Sequence, residues 1–386
     1  MYNYEYNINN ITYKYNKIHP KLEILRKKIL DRLFTKFYKI CLKYNSNFKN
    51  YKSIDFITRF CWRNTSNIDP VLPIKEKYDY TQLIIDLNNY NMDGKQIIKE
   101  LSVEKFINRK LIKFDRIYNN INYNKSIKIN IVDNNIIYKN KYKINYTQPI
   151  LDKLNKFYNK LDNINSNDKQ YKYVIIFCLL YRYSYLDADN QQLAISIPFK
   201  NDLLINYGVN IELFGSSINR FFNNYCSLFF DLEKYFGSLG NFYNINIVSG
   251  LYIANPPYDE ELMTNMSLKL INFLNNTNKP LGFIVTVPVW DKKTSVSISK
   301  ICNTEINNYS SYKCKEILEE SKYFYKEYIF CKNKFPYYNF SKLKYINACN
   351  TYIFIIKNNL LNFNLNKFEE LLKKNNLYFI NNKLIN

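Results

Sequence analysis

Residues 255–258, Asn-Pro-Pro-Tyr, are the motif of this 386-residue chain with the clearest chemical potential. They follow the apolar run GLYIA (250–254), which is typical of a buried strand. Each proline fixes its own φ angle and pushes the residue before it to extended geometry, so the motif predicts a rigid loop at a strand end. Because proline has no N–H, this loop presents carbonyl groups, and the side chain of Asn255 adds one more acceptor.

Two neighbouring acceptors suit an exocyclic amino group, which offers two protons. Holding both protons directs the nitrogen lone pair towards an electrophile. We therefore predict a catalytic clamp in which Asn255 and the Pro256 carbonyl orient the amine and Pro257 stiffens the loop. Tyr258 would stack on the ring that carries the amine, worth about 1–3 kcal/mol. The alternative is a proline-stiffened turn, in which the acids at 259–261 only complement the dipole of a following helix.

The spacing of apolar residues predicts the elements that position this motif. Strands separated by helices indicate a parallel sheet with crossover helices, and therefore an α/β fold after a mainly helical N-terminal region. Six of the seven glycines lie between 208 and 282, as expected for loops at the strand ends where such sheets bind ligands. The predicted helices are 22–44, 93–118, 147–161, 217–230 and 259–276, and the predicted strands are a pair within 126–146, then 209–214, 250–254, 281–287 and 350–358, with a long apolar segment at 171–186.

Composition narrows the class of protein. The formal net charge of +22 favours a polyanionic partner such as nucleic acid, although a bias towards lysine codons is an alternative source of the charge. Eight cysteines without a CxxC pair, and a single histidine, His19, argue against a zinc site or a histidine-based triad. We expect His19 at the surface. Single cysteines, the lack of an apolar signal region and the lack of a bilayer-length apolar run predict a soluble, intracellular protein without metal.

Longer segments around the motif resemble one family, the cap-specific adenosine N6-methyltransferases related to phosphorylated CTD-interacting factor. The resemblance implies a Rossmann-like class I methyltransferase domain (121–386) beside a helical domain (1–120). It also implies that S-adenosylmethionine is the cofactor, that capped RNA is the partner, and that the reaction methylates N6 of a 2′-O-methyladenosine next to an m7G cap. The segments that carry it, in family order, are FCLLYRYSYL (177–186), ELFGSSINRFFNNYCSLF (212–229), KYFGSLGNF (234–242), SGLYIANPPYDEELM (249–263), GFIVTVPVW (282–290) and, more weakly, ACNTYIFIIKN (348–358).

The same segments suggest further site residues. LFGSSIN lies where the first strand would meet the cofactor, although Ser216 or Ser217 could instead cap a helix. An acid before YFGSLG could hold the ribose hydroxyls, or be an ordinary solvated loop acid. The predicted cofactor-binding residues are Gly215, Ser216, Asn219, Asp231 (or Glu233), Phe236, Gly237 and Ser238, and the predicted substrate-binding residues are Trp290 and, with less support, Trp62 and Arg63.

The chain departs from the family in two respects. Tyr258 stands where the animal members are expected to have phenylalanine. No stretch resembles the WW module of those members, so we do not expect docking to the polymerase tail, and a partner from the capping machinery stays unidentified.

Two other functions remain open from the residues alone: the same chemistry on adenine of DNA or internal RNA, and a catalytically inert RNA-binding subunit. The helical region is expected to form one wall of a cap pocket.

Overall fold

The computed structural model of the protein describes residues 3–9, 12–121, 127–158, 169–186, 192–302 and 312–380. They form two compact units. The first, here the sheet unit, comprises Met1–Asn10, Asn190–Phe230 and Gly237–Asn386, and the second, here the helical unit, comprises Ile11–Asp189 and Asp231–Phe236. The domain boundary predicted at residue 120 therefore lies within the helical unit.

The helical unit combines helices with one small sheet. The predicted helix over 93–118 is two helices, because Ser102 adopts left-handed geometry (φ 47°) and ends the first of them. The helices are α1 (Pro20–Tyr44), α2 (Asn50–Arg63), α3 (Thr81–Asn88), α4 (Gly94–Leu101), α5 (Val103–Asn119), α6 (Gln148–Tyr158), α7 (Lys169–Tyr185) and, at the return of the chain, α9 (Phe230–Glu233) followed by a 3-10 turn (Lys234–Phe236).

The small sheet of the helical unit has three antiparallel strands, β2 (Ile129–Val132), β3 (Asn135–Tyr138) and β4 (Tyr142–Asn145), where a strand pair was predicted. A turn joins the first two strands, with φ of 48° and 59° at Asp133 and Asn134. A second turn of the same kind, with φ of 53° and 50° at Lys139 and Asn140, produces the third strand. Two consecutive left-handed residues match the twist of a two-residue hairpin, and Asn tolerates this geometry well.

The sheet unit is built on a mixed sheet in the order β10-β13-β9-β8-β6-β7, with β1 paired to β8 off this path. Strands β7, β6, β8 and β9 are mutually parallel, β13 is antiparallel to β9 and β10, and β1 is antiparallel to β8. The strands are β1 (Glu5–Ile8), β5 (Leu193–Ala194), β6 (Ile211–Glu212), β7 (Asn224–Tyr225), β8 (Ile245–Ala254), β9 (Leu281–Pro288), β10 (Phe324–Phe330), β11 (Tyr337–Asn339), β12 (Lys344–Ile346) and β13 (Thr351–Lys357).

Helices cover this sheet, and strands β5, β11 and β12 form a small separate sheet. Alternate residues of β9 and β13 point into two hydrophobic clusters, as expected for strands buried on both faces. The helices are α8 (Ile197–Tyr207), α10 (Glu260–Asn275), α11 (Lys292–Cys302), α12 (Lys313–Glu319) and α13 (Leu365–Lys374), with a 3-10 turn at Phe242–Asn244.

The prediction of a helix over 217–230 is wrong. The buried carboxylate of Glu212 accepts hydrogen bonds from the backbone N–H groups of Phe221 and Phe222, at 2.5 and 3.2 Å. The next residues pair as β7, in which Tyr225 lies opposite Glu212. These backbone groups are satisfied by a side chain and a sheet, so the apolar pattern does not lead to a helix. The strand predicted over 209–214 is correspondingly short.

Two further findings bear on what was inferred from the composition. Cys302 and Cys331 form a disulfide that joins the end of α11 to the residue after β10, so the prediction that the cysteines are single is wrong for this pair. Their 29-residue separation in the sequence does not indicate a disulfide. Among the described residues, no helix combines the length and apolar character needed to cross a bilayer.

Candidate active site

The Asn-Pro-Pro-Tyr loop follows β8 directly, as the sequence predicts, and connects it to α10. The Pro257 carbonyl accepts a hydrogen bond from the N–H of Asp259 at 2.9 Å. Asp259 in turn caps α10, since its carboxylate accepts from the N–H of Leu262 at 3.1 Å. The loop is thus held between a central strand and a capped helix, and the acid that follows the motif has a structural role.

This loop lies at the point where the strand order of the sheet reverses. The chain runs from β6 outwards to β7 and then returns to β8 on the other side of β6. In the register of these parallel strands, the N–H of Leu213 donates to the Ile253 carbonyl at 2.9 Å. The loop after β6 and the loop after β8 therefore meet at one edge of the sheet. In open α/β sheets, ligands bind at this switch point, outside the carboxyl ends of the strands.

The two groups of the predicted clamp differ in exposure, and their role in binding an amine stays a prediction. Asn255 is partly exposed and Pro256 is buried. Among the described residues, the polar contact of the Asn255 carboxamide is a long one, between its Oδ1 and the Tyr258 hydroxyl at 3.4 Å. Oδ1 has two lone pairs, so this contact leaves it able to accept a stronger hydrogen bond from a ligand.

The Tyr258 hydroxyl takes part in a chain of hydrogen bonds that the sequence did not suggest. It donates to the hydroxyl of Tyr337 at 2.5 Å, and the Tyr337 hydroxyl lies 2.9 Å from Oγ1 of Thr351. Burial, and next the neighbouring Tyr337, raise the pKa of Tyr258 well above its ordinary value, so this hydroxyl stays protonated at neutral pH. The chain of hydroxyls fixes the ring of Tyr258 to β11 and β13.

Trp290, which was predicted to bind substrate, lies beside the motif. Its ring meets that of Tyr258 edge-on, with the centroids 6.3 Å apart, and lies 6.0 Å from the ring of Tyr312. Trp290 is partly exposed, whereas Tyr312 is buried. The loop after β8 is thus bordered by aromatic surface on the side of β9, an arrangement able to contact a flat aromatic base.

The loop after β6 is organised mainly by its own side chains. Oγ of Ser216 accepts from the N–H of Asn219 at 3.0 Å, and Oδ1 of Asn219 accepts from the N–H of Ser216 at 2.8 Å. The Ser216 hydroxyl also donates to Gln192 at 2.6 Å. A Cβ at Gly215 would come 3.3 Å from the Tyr225 ring, so this glycine permits close packing. These contacts form a turn that no helix follows, and the predicted contact of Ser216 with the cofactor stays a prediction.

Gly237 and Ser238 also have structural contacts within the sheet unit. Gly237 has a φ of +92°, and a Cβ there would lie 3.0 Å from the Asn223 carbonyl. The hydroxyl of Ser238 lies 2.6 Å from that of Ser227 and accepts from the N–H of Gly240 at 3.1 Å. Their predicted contact with the cofactor stays a prediction.

Asp231 is buried in the helical unit and is engaged by a buried arginine. Arg182 donates to both of its carboxylate oxygens, at 2.7 and 2.8 Å, and to Glu23 at 2.5 and 3.1 Å. Glu23 also accepts from Arg26, which pairs with Asp69. Paired charges of this kind are what allow ionised groups to be buried. To bind ribose as predicted, the Asp231 carboxylate would have to accept hydrogen bonds from the ribose hydroxyls while it also accepts those of Arg182.

The other predicted residues of the helical unit lie within its framework. Glu233 is buried and accepts from the Tyr183 hydroxyl at 2.7 Å. Phe236 is fully buried, with its ring 6.1 Å from that of Tyr158. Trp62 and Arg63 end α2, and both are partly exposed. Their predicted roles in binding cofactor or substrate stay predictions.

His19 differs from its predicted surface position. It is half-buried as the N-cap of α1, and its Nδ1 accepts from the N–H of Lys21 at 2.9 Å. Burial, with Lys21 and Lys139 nearby, lowers the pKa of His19 to about 4, so it is neutral at pH 7. Across the parts of the chain that the structure describes, no group of three or more His, Cys, Asp or Glu side chains could hold a metal ion.

The fold and the loop at its switch point define the class of this protein. A mixed α/β architecture with a mostly parallel central sheet, preceded by a helical region, is consistent with a Rossmann-like methyltransferase. The particular family follows from comparison with known proteins. Residues 153–329 match the family model described as phosphorylated CTD interacting factor 1 WW domain.

Two curated relatives are similar over a shorter region. The mRNA (2′-O-methyladenosine-N(6)-)-methyltransferases of Mus musculus and Homo sapiens are each 33% identical over 132 residues, which is 33% of this chain and 19% of either relative. The matched region thus spans about a fifth of the length of these relatives. The matched family model bears the name of a WW domain, whereas residues 153–329 here include β6, β8 and β9 of the central sheet.

Proposed function

We propose that this protein transfers a methyl group from S-adenosylmethionine to N6 of the first adenosine of an RNA that carries an m7G cap. The observation that carries the proposal is the position of Asn255 and Pro256 at the carboxyl end of β8, beside the loop after β6. Homology to methyltransferases that act on 2′-O-methyladenosine of mRNA supports the choice of substrate.

We infer that the cofactor binds at this edge of the sheet. The loop after β6 is partly exposed at Phe214 and Gly215, next to the Asn255 loop. Because Ser216, Asn219 and Ser238 are engaged locally, we infer that Gly215 and the backbone of this loop provide much of the contact. S-adenosylmethionine, when bound, supplies the electrophilic methyl group.

The residues of the chain would prepare the acceptor nitrogen. Oδ1 of Asn255 and the Pro256 carbonyl accept the two protons of the adenine amino group, which leaves the lone pair pointing towards the methyl donor. Tyr258 holds the base through its ring, and Trp290 borders it. Carbonyl oxygens in a water-poor pocket also stabilise the positive charge that develops on nitrogen.

No general base is required in this scheme. The exocyclic amine is neutral, and one of its protons leaves for solvent after the methyl group has been transferred. The rate gain would come mainly from holding two substrates in line, which in well-oriented systems contributes about 7–11 kcal/mol.

Replacement of Asn255 by alanine tests the proposal. The variant removes the side-chain carbonyl of the clamp and should reduce methyl transfer to capped RNA by roughly 100-fold or more, in line with loss of one positioned polar group. Binding of S-adenosylmethionine, followed by calorimetry, should be nearly unchanged. Asn246→Ala, at an exposed position of the same strand, is the matched control and should retain activity. Wild-type turnover by Asn255→Ala would overturn the catalytic assignment.

A further inference from the structure

The helical unit contains a basic cavity that the proposed chemistry does not use. Its volume is about 730 Å³, and its lining includes three lysines, Lys21, Lys128 and Lys139, together with His19 and Tyr138. The described lining residues include no Asp or Glu; the others are asparagines and isoleucines. The cavity thus carries about three positive charges that no lining carboxylate offsets, within the roughly 300–1,000 Å³ that is typical of ligand sites.

Local structure holds these groups in place. Lys21 lies in the first turn of α1, whose dipole is positive at this end. Lys139 and Asn140 form the left-handed turn between β3 and β4, and Asn130 on β2 donates to Asn140 at 3.3 Å. Tyr138 is buried on β3, and the ammonium of Lys139 lies 5.5 Å from the centre of its ring. A helix and a hairpin therefore present the cations to one space.

His19 adds a neutral hydrogen-bond donor. Its Nδ1 accepts from the backbone of Lys21, so the proton of the neutral ring is on Nε2. Lys21 and Lys139 are both close enough to disfavour protonation of this ring. A ligand that brings negative charge would relieve the mutual repulsion of these groups, whereas a cation would increase it.

We propose that this cavity binds consecutive phosphate groups of the RNA strand. Lysine ammonium groups suit phosphate as point charges, the imidazole N–H and the asparagine amides can donate to phosphate oxygens, and a concave site suits a strand better than a flat membrane surface. This inference rests on the proposed function in taking RNA as the ligand. It adds a site for the body of the strand, separate from the clamp for the target base.

The test is binding of a fluorescent, uncapped single-stranded RNA to the full chain, followed by anisotropy over a series of salt concentrations. The variant carries Lys21→Ala, Lys128→Ala and Lys139→Ala. The control carries the same number of changes at exposed lysines of the same unit, Lys28→Ala, Lys95→Ala and Lys99→Ala. Because all of these side chains are exposed, both variants should fold, which circular dichroism checks.

We expect the cavity variant to bind RNA at least about tenfold more weakly, and its log–log salt slope to become shallower by about 2, since each lost phosphate contact on a single strand removes about 0.7. The control should stay near the wild type. Equal losses in both variants would overturn the inference, because they would assign binding to overall charge. Unchanged RNA binding by the cavity variant would overturn it as well.

Two additions make the result specific. Inorganic tripolyphosphate is titrated into the wild type and the cavity variant. If the cavity binds tripolyphosphate while RNA affinity does not depend on the three lysines, the ligand is a free polyphosphate and the RNA assignment fails. Lys139→Gln alone is a milder variant that should give a smaller loss in the same direction. The binding assay contains no methyl donor. Its outcome can therefore be interpreted even if the protein proves not to transfer methyl groups.

Discussion

Replacement of Tyr258 by phenylalanine separates the two roles that its side chain has in the structure. The hydroxyl donates to Tyr337 at 2.5 Å and lies 3.4 Å from Oδ1 of Asn255, while the ring borders the predicted base site. Removal of the hydroxyl leaves Tyr337 with its contact to Thr351 at 2.9 Å. The variant therefore loses one hydrogen bond, and the Tyr337 hydroxyl keeps another partner. The expected loss of interaction free energy is about 1 kcal/mol.

That energy sets the size of the expected effect. If all of it served to orient the clamp, Tyr258→Phe would lower kcat/KM about fivefold. Tyr258→Ala removes the ring as well, and with it stacking of up to about 3 kcal/mol, so it should lower kcat/KM by roughly 100-fold. The ring, rather than the hydroxyl, would then be essential to the reaction.

The assay is transfer of labelled methyl from S-adenosylmethionine to capped RNA. Tyr243→Phe is a suitable control, because it also removes a hydroxyl that donates within the sheet unit, to the Leu262 carbonyl at 2.7 Å. This control should lose a similar amount of stability and retain its activity. If Tyr258→Phe were as inactive as Tyr258→Ala, the reasoning would be refuted, and the hydroxyl would have a direct chemical role.

Three further predictions concern stability. Asp231→Asn should lower the free energy of unfolding in urea by about 3 kcal/mol, because Arg182 would lose one of its buried carboxylate partners; a change under about 1 kcal/mol would contradict the ion-pair account. Gly237→Ala should cost about 1–3 kcal/mol, since its φ of +92° is unfavourable for alanine, and an unchanged melting temperature would argue against that strain. Burial raises the pKa of Glu260 to about 7 from the ordinary value of 4.5, so the folded state binds an extra proton between these values and loses stability as pH rises from 4.5 to 7. Glu260→Gln should therefore raise the melting temperature relative to wild type at pH 8 but not at pH 4.5, and an equal effect at both would show that titration of Glu260 is not involved.

The fold was largely predictable because its strands and helices have regular apolar patterns. The strand at 281–287 and the helix at 259–276 are recovered almost residue for residue, as β9 and α10. The failure at 217–230 has a tertiary cause, since Glu212, nine residues before Phe221, satisfies backbone groups there. The spacing of apolar residues in this segment does not indicate such a contact.

The candidate site was predictable only in part, for similar reasons. The motif at 255–258 is visible because prolines constrain the backbone wherever they occur. Tyr337 is one of 38 tyrosines, and only the pairing of distant strands brings its hydroxyl to Tyr258. Ser216 and Asp231 are polar residues at plausible positions, but their partners, Gln192 and Arg182, come from other elements of the chain.

The most direct test of the central claim is methylation of two RNAs that differ only at the 5′ end, one starting m7GpppA and the other pppA. After reaction with S-adenosylmethionine, the first nucleotide and the internal adenosines are separated and analysed for N6-methyladenosine. We predict that the label lies on the first adenosine of the capped RNA and that the uncapped RNA is a far poorer substrate. Equal methylation of both RNAs, or methylation confined to internal adenosines, would contradict the cap assignment.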